Sequence, residues 1–233
     1  IRKIIIKNKI DSVIHLAANL VIGEGEKYPK KYFKNNVLGT KNLLESCKNT
    51  GIKNLVFSST AAVYKDGQYK VHENSVIKPK SVYGKTKLKC EKSIKFFSNK
   101  YNFNYGILRY FNVAGSDLKN KIGCIKKNDQ LIKNISFYIA RKNFQISVYG
   151  NNYNTKDGTC IRDYIFIDDI SKVHLTILKL ISKTNKSYTL NCGYGSGYSV
   201  LDIIKNFENE LKINIKKNFL PRRKGDISEI IAS

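Results

Sequence analysis

The chain has 233 residues, enough for one α/β domain or for a domain with a smaller lobe. Its charge of +24 invites a nucleic-acid reading, but the lysines are scattered among many Asn, Ile and Tyr, the imprint of an A+T-rich coding bias rather than a basic face. No apolar run reaches the roughly 18 residues of a membrane span, and five cysteines without a Cys-x-x-Cys pair argue against a disulfide framework and against zinc.

The first residues, Ile1-Arg2-Lys3-Ile4-Ile5-Ile6, are too short a run and too soon charged for a signal peptide, so the chain reads as cytosolic. Residues 11–18 predict a short buried strand that ends in Leu16, Ala17 and Ala18. Phe33, Val37, Thr40, Leu44 and Cys47 then recur at alternating steps of four and three, an amphipathic helix that Gly51 stops. Residues 55–60 form an apolar strand that turns into hydroxyls at Ser58, Ser59 and Thr60. After a loop to Pro79, a helix starting near Tyr83 buries Cys90, Ile94, Phe97 and Tyr101, and residues 105–112 form a strand ending at Asn112.

Strand, helix, strand, helix, strand is the order of a parallel, doubly wound sheet, and ligands of such sheets sit beyond the C-terminal strand ends. Ala17-Ala18, Ser58-Ser59-Thr60 and Asn112 all fall there. Residues 115–143 hold no clear strand, and 144–149 and 161–167 are short extended runs. Ile170, Val173, His174, Ile177, Leu178 and Ile181 make a helix stripe on which His174 reads as a satisfied core histidine. A strand at 188–192, a helix at 199–211 opened by a Ser199/Asp202 capping box, and a strand at 213–220 close the chain. Gly193-Tyr194-Gly195-Ser196-Gly197 follows a strand and precedes a helix, but Tyr198 stands where a dinucleotide fingerprint needs glycine. It reads as a tight turn against a substrate.

The stretch Tyr83-Gly84-Lys85-Thr86-Lys87 organises the rest. On a helix Tyr83 and Lys87 share a face. A cation there would draw the phenol pKa from about 10 towards neutrality, making Tyr83 a general base. Thr60 could hand the proton across. Alone, the spacing favours a helix-start tyrosine followed by a solvated lysine over a catalytic pair.

Several motifs occur together and in order: Leu16-Ala17-Ala18, Asn35-Asn36-Val37-x-Gly39-Thr40, Phe57-Ser58-Ser59-Thr60-Ala61-Ala62-Val63-Tyr64, Tyr83-Gly84-Lys85-x-Lys87 and Arg109-Tyr110-Phe111-Asn112-Val113-Ala114-Gly115. Asp157-Gly158-Thr159-x-x-Arg162-Asp163-Tyr164-Ile165 and Pro221-Arg222-Arg223-x-Gly225-Asp226 follow. With these the chain resembles, end to end, the UDP-glucose 4-epimerase family of the extended short-chain dehydrogenase/reductase superfamily. The related 4,6-dehydratases typically carry an acid pair where Thr60-Ala61 stands here.

The resemblance implies an α/β Rossmann-type fold, with residues 1–118 belonging to the NAD-binding domain and 119–233 mainly to a UDP-sugar lobe. It implies a resident NAD, Tyr83 as base at the sugar 4-hydroxyl, Thr60 bridging sugar and tyrosine, and Lys87 holding the nicotinamide ribose. Leu16, Ala17, Ala18, Asn35, Ser58, Ser59, Tyr83, Lys87 and Tyr110 match cofactor contacts. Thr60, Asn112, Gln130, Leu131, Ser147, Tyr149, Arg162, Arg223, Asp226 and Ile230 match UDP-sugar contacts, Arg162 and Arg223 having the forks a diphosphate wants. It also implies a homodimer for the full-length form, and neither a nucleic-acid nor a membrane partner.

Two departures stand out. The family's glycine-rich opening unit, about 60 residues of such a fold, has no counterpart here, and on that ground the 233-residue chain alone is expected to be inactive. Leu20 and Gln130 stand where many members carry lysine and asparagine. Alternatives are an epimerase of an N-acetylated or uronic-acid UDP-sugar, and a non-catalytic remnant. If the charge is compositional, filter binding to DNA at physiological ionic strength should show no more than the roughly 10⁻⁴–10⁻⁶ M of non-specific attraction. Tight, sequence-selective binding would refute that reading.

Overall fold

Residues 55–57 and 107–108 are apolar on both alternating faces, as the middles of strands covered on both sides must be. A computed structural model describes residues 1–119, 121–123, 130–141 and 145–233. In chain order these form α1 (Arg2–Lys7), β1 (Ser12–His15), α2 (Ile22–Lys27), α3 (Pro29–Tyr32), a π-helical turn (Phe33–Leu38), α4 (Gly39–Cys47) and β2 (Asn54–Thr60). A 3₁₀ turn (Ala61–Val63) leads to β3 (Lys70–Val71), α5 (Val82–Tyr101), β4 (Asn104–Tyr110), β5 (Asn112–Ala114), α6 (Leu131–Arg141) and β6 (Ile146–Tyr149). The rest comprises β7 (Ile161–Phe166), α7 (Ile167–Thr184), β8 (Tyr188–Cys192), β9 (Gly197–Ser199), α8 (Val200–Leu211), β10 (Lys217–Leu220) and β11 (Glu229–Ala232).

Strands β1-β2-β4-β8 make a wholly parallel sheet with helices on both faces, the doubly wound α/β arrangement. Side-chain alternation sorts its two cores. Leu55, Phe57 and Ile107 point towards α4 and α5, where they meet Leu44, Cys90 and Ile94. Val56 and Leu108 point the other way, against Ile170, Ile177 and Ile181 of α7. Gly106 lets α7 come close: a Cβ there would lie 2.6 Å from Ile177. A second parallel group, β3-β11-β7-β5, carries β9 antiparallel on β7. The parallel pair β6–β10 packs with α6 and α8 around Ile135, Ile146, Ile204 and Ile215.

Differences from the sequence pattern have local causes. The strand expected over 11–18 runs only from Ser12 to His15, where among the described residues β1 pairs with β2 alone, and Ile14 is 39% exposed. The helix expected from Phe33 to Cys47 starts as a π turn, where the Asn36 carbonyl takes both the Thr40 hydroxyl (2.6 Å) and the Cys90 thiol (3.2 Å). The strand expected at 213–220 begins only at Lys217; of the run 144–149, residue 144 lies outside the described residues, as does Cys124. Cys47, Cys90, Cys160 and Cys192 are buried and unpaired, and among the described residues no helix is long and apolar enough to cross a membrane. The Ser199/Asp202 capping box is present. His174 is a satisfied core residue, bonded to the Ile170 carbonyl (2.7 Å) and the Tyr110 hydroxyl.

His15 at the end of β1 is buried, with Nε2 2.9 Å from the Thr40 oxygen. Because Thr40 donates its proton to Asn36, His15 must donate to Thr40 through Nε2. Burial first, and the Lys87 charge second, lower its pKa to about 4. The unfolded chain therefore binds more protons than the folded one between pH 6.5 and 4, and stability falls as pH drops through that window. Urea unfolding should lose about 2 kcal/mol from this group between pH 7 and pH 5. His15→Gln should remove that increment, and an equal pH loss in the variant would count against a buried neutral His15.

Candidate active site

The first turn of α5 is held from three sides. Ser81 caps it, accepting the Gly84 N–H at 3.0 Å. Glu26 of α2 accepts the Val82 N–H at 2.7 Å, placing a carboxylate at the positive end of the helix. Gly84 then presses against the turn after β2: a Cβ there would lie 2.3 Å from the Ala62 carbonyl oxygen. Glycine after Tyr83 is thus a packing requirement, and it brings Tyr83 into one cleft with Thr60, whose hydroxyl opposes the rise in the phenol pKa. Thr60 also caps its own turn, accepting the Ala62 N–H at 3.2 Å.

Beside this pair opens a cleft of about 720 Å³, counted to its mouth. Thr60, Tyr83, Tyr110, Asn112, Arg162, Arg223, Asp226 and Ile230 all line it, as does Leu20. β11 places Ile230 in register with Arg162 of β7. The Arg162 guanidinium donates to the carbonyls of Ile161, Ile227 and Ser228 at 2.6–3.3 Å, which fixes its plane. Arg223 lies over the Tyr149 ring at 4.6 Å and pairs with Asp226 at 2.8 Å. Tyr110 is oriented from below by His174, whose Nδ1–H is spent on Ile170, so Nε2 receives the phenol proton.

Other residues expected at the site do not line this cleft. Leu16, Ala17 and Ala18 follow β1 as an exposed ledge, tied down by Asn36, which exchanges hydrogen bonds with the backbone of Asn19 at 2.8 and 3.0 Å. Asn35 is exposed and donates to Asn36. Ser58 accepts the Lys87 ammonium through its carbonyl at 2.5 Å. Ser59 is fully buried, its hydroxyl 2.5 Å from Glu91. Gln130 is exposed just before α6; Leu131 packs in the β6–β10 core, and Ser147 lies on β6.

The electrostatics correct one expectation. Lys87 was to pull Tyr83 towards neutral pH, but burial wins and pushes Tyr83 up to about 12, the Thr60 hydrogen bond being the opposing effect. Lys87 Nζ lies 6.0 Å from the Tyr83 ring centroid and donates instead to the Ser58 carbonyl at 2.5 Å. Its own burial brings its pKa down to about 8. Tyr83 stays in contact with the cleft, so a charge bound there acts directly on its phenol.

Sequence reasoning missed Lys80, Ser81 and Ile227 in the cleft wall. Ser81 carried a signal, a serine just before a helix; Lys80, 3.2 Å from both Asp66 and the Asp226 carbonyl, carried none. The turn at Gly193–Gly197 cups a side chain, not a nucleotide. Asp163, fully buried, accepts the N–H groups of Tyr194, Gly195 and Ala232 at 2.8–3.2 Å. A Cβ on Gly193 would meet that carboxylate at 2.5 Å.

A model of the NAD dependent epimerase/dehydratase family matches residues 1–193. The chain belongs to that family. It is 37% identical over 228 residues to the UDP-glucose 4-epimerase of Halalkalibacterium halodurans, covering 97% of this chain and 68% of that one. The UDP-glucose 4-epimerase of Lactobacillus helveticus is also 37% identical, over 100% of this chain and 71% of its own. Among solved structures, the UDP-glucose-4-epimerase of Stenotrophomonas maltophila, with bound NAD and formylated UDP-arabinopyranose, superposes with a TM-score of 0.92 at 33% identity, covering all of this chain and 70% of that one. The UDP-Glc/GlcNAc 4-epimerase of Campylobacter jejuni gives 0.80 at 37% identity, over 100% and 71%.

Proposed function

We propose that this chain acts in the NAD-dependent interconversion of UDP-glucose and UDP-galactose by inversion at C4 of the sugar. The observation that carries the reading is the presence of Thr60 and Tyr83 in one cleft with Arg162, Arg223 and Asp226. That cleft thus combines a proton-transfer pair with diphosphate-matching guanidinium groups. The relatives named UDP-glucose 4-epimerase support it.

The residues present fit the nicotinamide-ribose end of NAD. Lys87 is held at the C-terminal end of β2, Ser58 and Tyr110 lie beside it, and the Leu16–Ala18 ledge offers small and apolar surface. Among the described residues no glycine-rich turn opens a helix towards a pyrophosphate, the one candidate being committed to Asp163. Bound there, the cofactor supplies first the acceptor and then the donor of the hydrogen at C4.

The chain's own residues handle protons and orientation. Thr60 binds the sugar 4-hydroxyl and passes its proton to Tyr83; the same pair returns a proton when the 4-keto sugar is reduced on its other face. Tyr83 near 12 is a poor base at neutral pH, so it needs positive charge gathered beside it, and Lys87 is the chain's own cation within reach. Arg162 and Arg223 hold the diphosphate while the sugar turns over between the two half-reactions. In the full-length protein, Tyr83→Phe should lower kcat by at least the 10²–10⁴-fold typical of lost acid–base help, with UDP binding retained. A variant keeping most of its kcat would remove Tyr83 from the role.

A second reading concerns breadth. The Campylobacter jejuni neighbour acts on both glucose and N-acetylglucosamine nucleotides by its name. Here Ile230, in the cleft wall, is smaller than tyrosine but branched and stiff. Such a difference in pocket volume is worth about 1–3 kcal/mol in selectivity. UDP-galactose should be preferred and UDP-N-acetylgalactosamine should turn over more slowly. Ile230→Tyr should abolish the second activity and spare the first, whereas equal loss of both would show that Ile230 does not set the width.

A further inference from the structure

Glu91 lies on α5 one turn beyond Lys87 and two beyond Tyr83, on the same stripe. It is a carboxylate 2% exposed, paired in two-pronged fashion with Arg109 of β4, itself 1% exposed. Arg109 Nε reaches Oε1 at 3.1 Å and Nη2 reaches Oε2 at 2.8 Å. The remaining capacity of Oε1 is taken by the Ser59 hydroxyl at 2.5 Å. Ser59 is the register partner of Arg109, and Arg109 that of Asn191, so one rung of the sheet is polar across β2, β4 and β8. Arg109 Nη1 extends it to the Tyr64 hydroxyl at 2.9 Å, which donates to Asn191 at 2.6 Å.

This rung lies directly beneath the one that carries Thr60 and Tyr110. The residue before Thr60 and the helix bearing Tyr83 are therefore bolted to one carboxylate. A buried ion pair is weak evidence for stability, since desolvating both charges offsets most of their attraction. Its geometry, by contrast, fixes how far α5 can slide along β2. We propose that Glu91 is a positioning residue, which through Ser59 sets the approach of Thr60 to Tyr83. This inference rests on the epimerase reading above.

The test uses the full-length protein with Tyr83→Phe as reference. Ser59→Ala deletes one hydroxyl and leaves the ion pair in place. It should lower kcat about tenfold with KM within about threefold, because misplacement by a fraction of an ångström acts on the reacting geometry and not on the grip of the diphosphate. Glu91→Gln, which loses the charged fork to Arg109, should lower kcat at least as far with KM again little changed. Wild-type kcat in Ser59→Ala overturns the proposal, as does wild-type kcat in a folded Glu91→Gln. Should Glu91→Gln fail to fold, Ser59→Ala decides alone. If Tyr83→Phe stays active, the epimerase reading fails instead.

Discussion

Glu91 ties the two halves of the site to each other, through its ion pair with Arg109 of β4 and the Ser59 hydroxyl of β2. Helix α5 brings Tyr83 and Lys87; strand β2 brings Thr60 at its last residue. Apolar packing between them, through Phe57, Cys90 and Ile94, is tolerant of small slides, whereas a forked guanidinium–carboxylate contact is not. Arg109 sits a single rung below Thr60 and Tyr110, and the capping of α5 by Ser81 and Glu26 fixes the other end of the same lever. Gly84 closes the arrangement by removing the one side-chain atom that would hold the helix off the turn at Ala62.

Burial of this kind has an electrostatic consequence. The same enclosure that orders Tyr83 raises its pKa to about 12, and it lowers that of Lys87 to about 8. Desolvation acts against both charged forms, so neither group alone gives a phenolate at neutral pH. Catalysis in such a site depends on the charge balance of the filled cleft, with Lys87 and the positive end of α5 as its fixed part. The guanidinium groups in the cleft are held differently, by backbone carbonyls around Arg162 and by Tyr149 and Asp226 around Arg223. Held so, they are fixed donors suited to an anionic group.

Much of this was legible in the sequence, for definable reasons. Apolar periodicity located β2, α5, β4 and α7, because each is buried on a regular face. The Thr60, Tyr83, Arg162 and Arg223 motifs marked the cleft because chemistry fixes their residue types. Glu91 and Arg109 also left a trace, an acid within an apolar helix stripe and a base within an apolar strand, though pairing them needs the sheet register. β11 was not legible: Glu229–Ala232 is four residues long and owes its strand form to β3 and β7 on either side. The capping role of Glu26 was equally hidden, since residues 26 and 82 meet only in three dimensions. The fate of the Gly193–Gly197 turn depended on Asp163, thirty residues upstream of it.

The central claim is an inversion at C4 in which the hydrogen removed from the sugar is the one returned. It is tested most directly by incubating the full-length protein with UDP-galactose in deuterated water and following C4 of the sugar by proton NMR. The account predicts that UDP-glucose forms with protium retained at C4. Deuterium at C4, or absence of conversion by a folded protein that binds UDP, would contradict it.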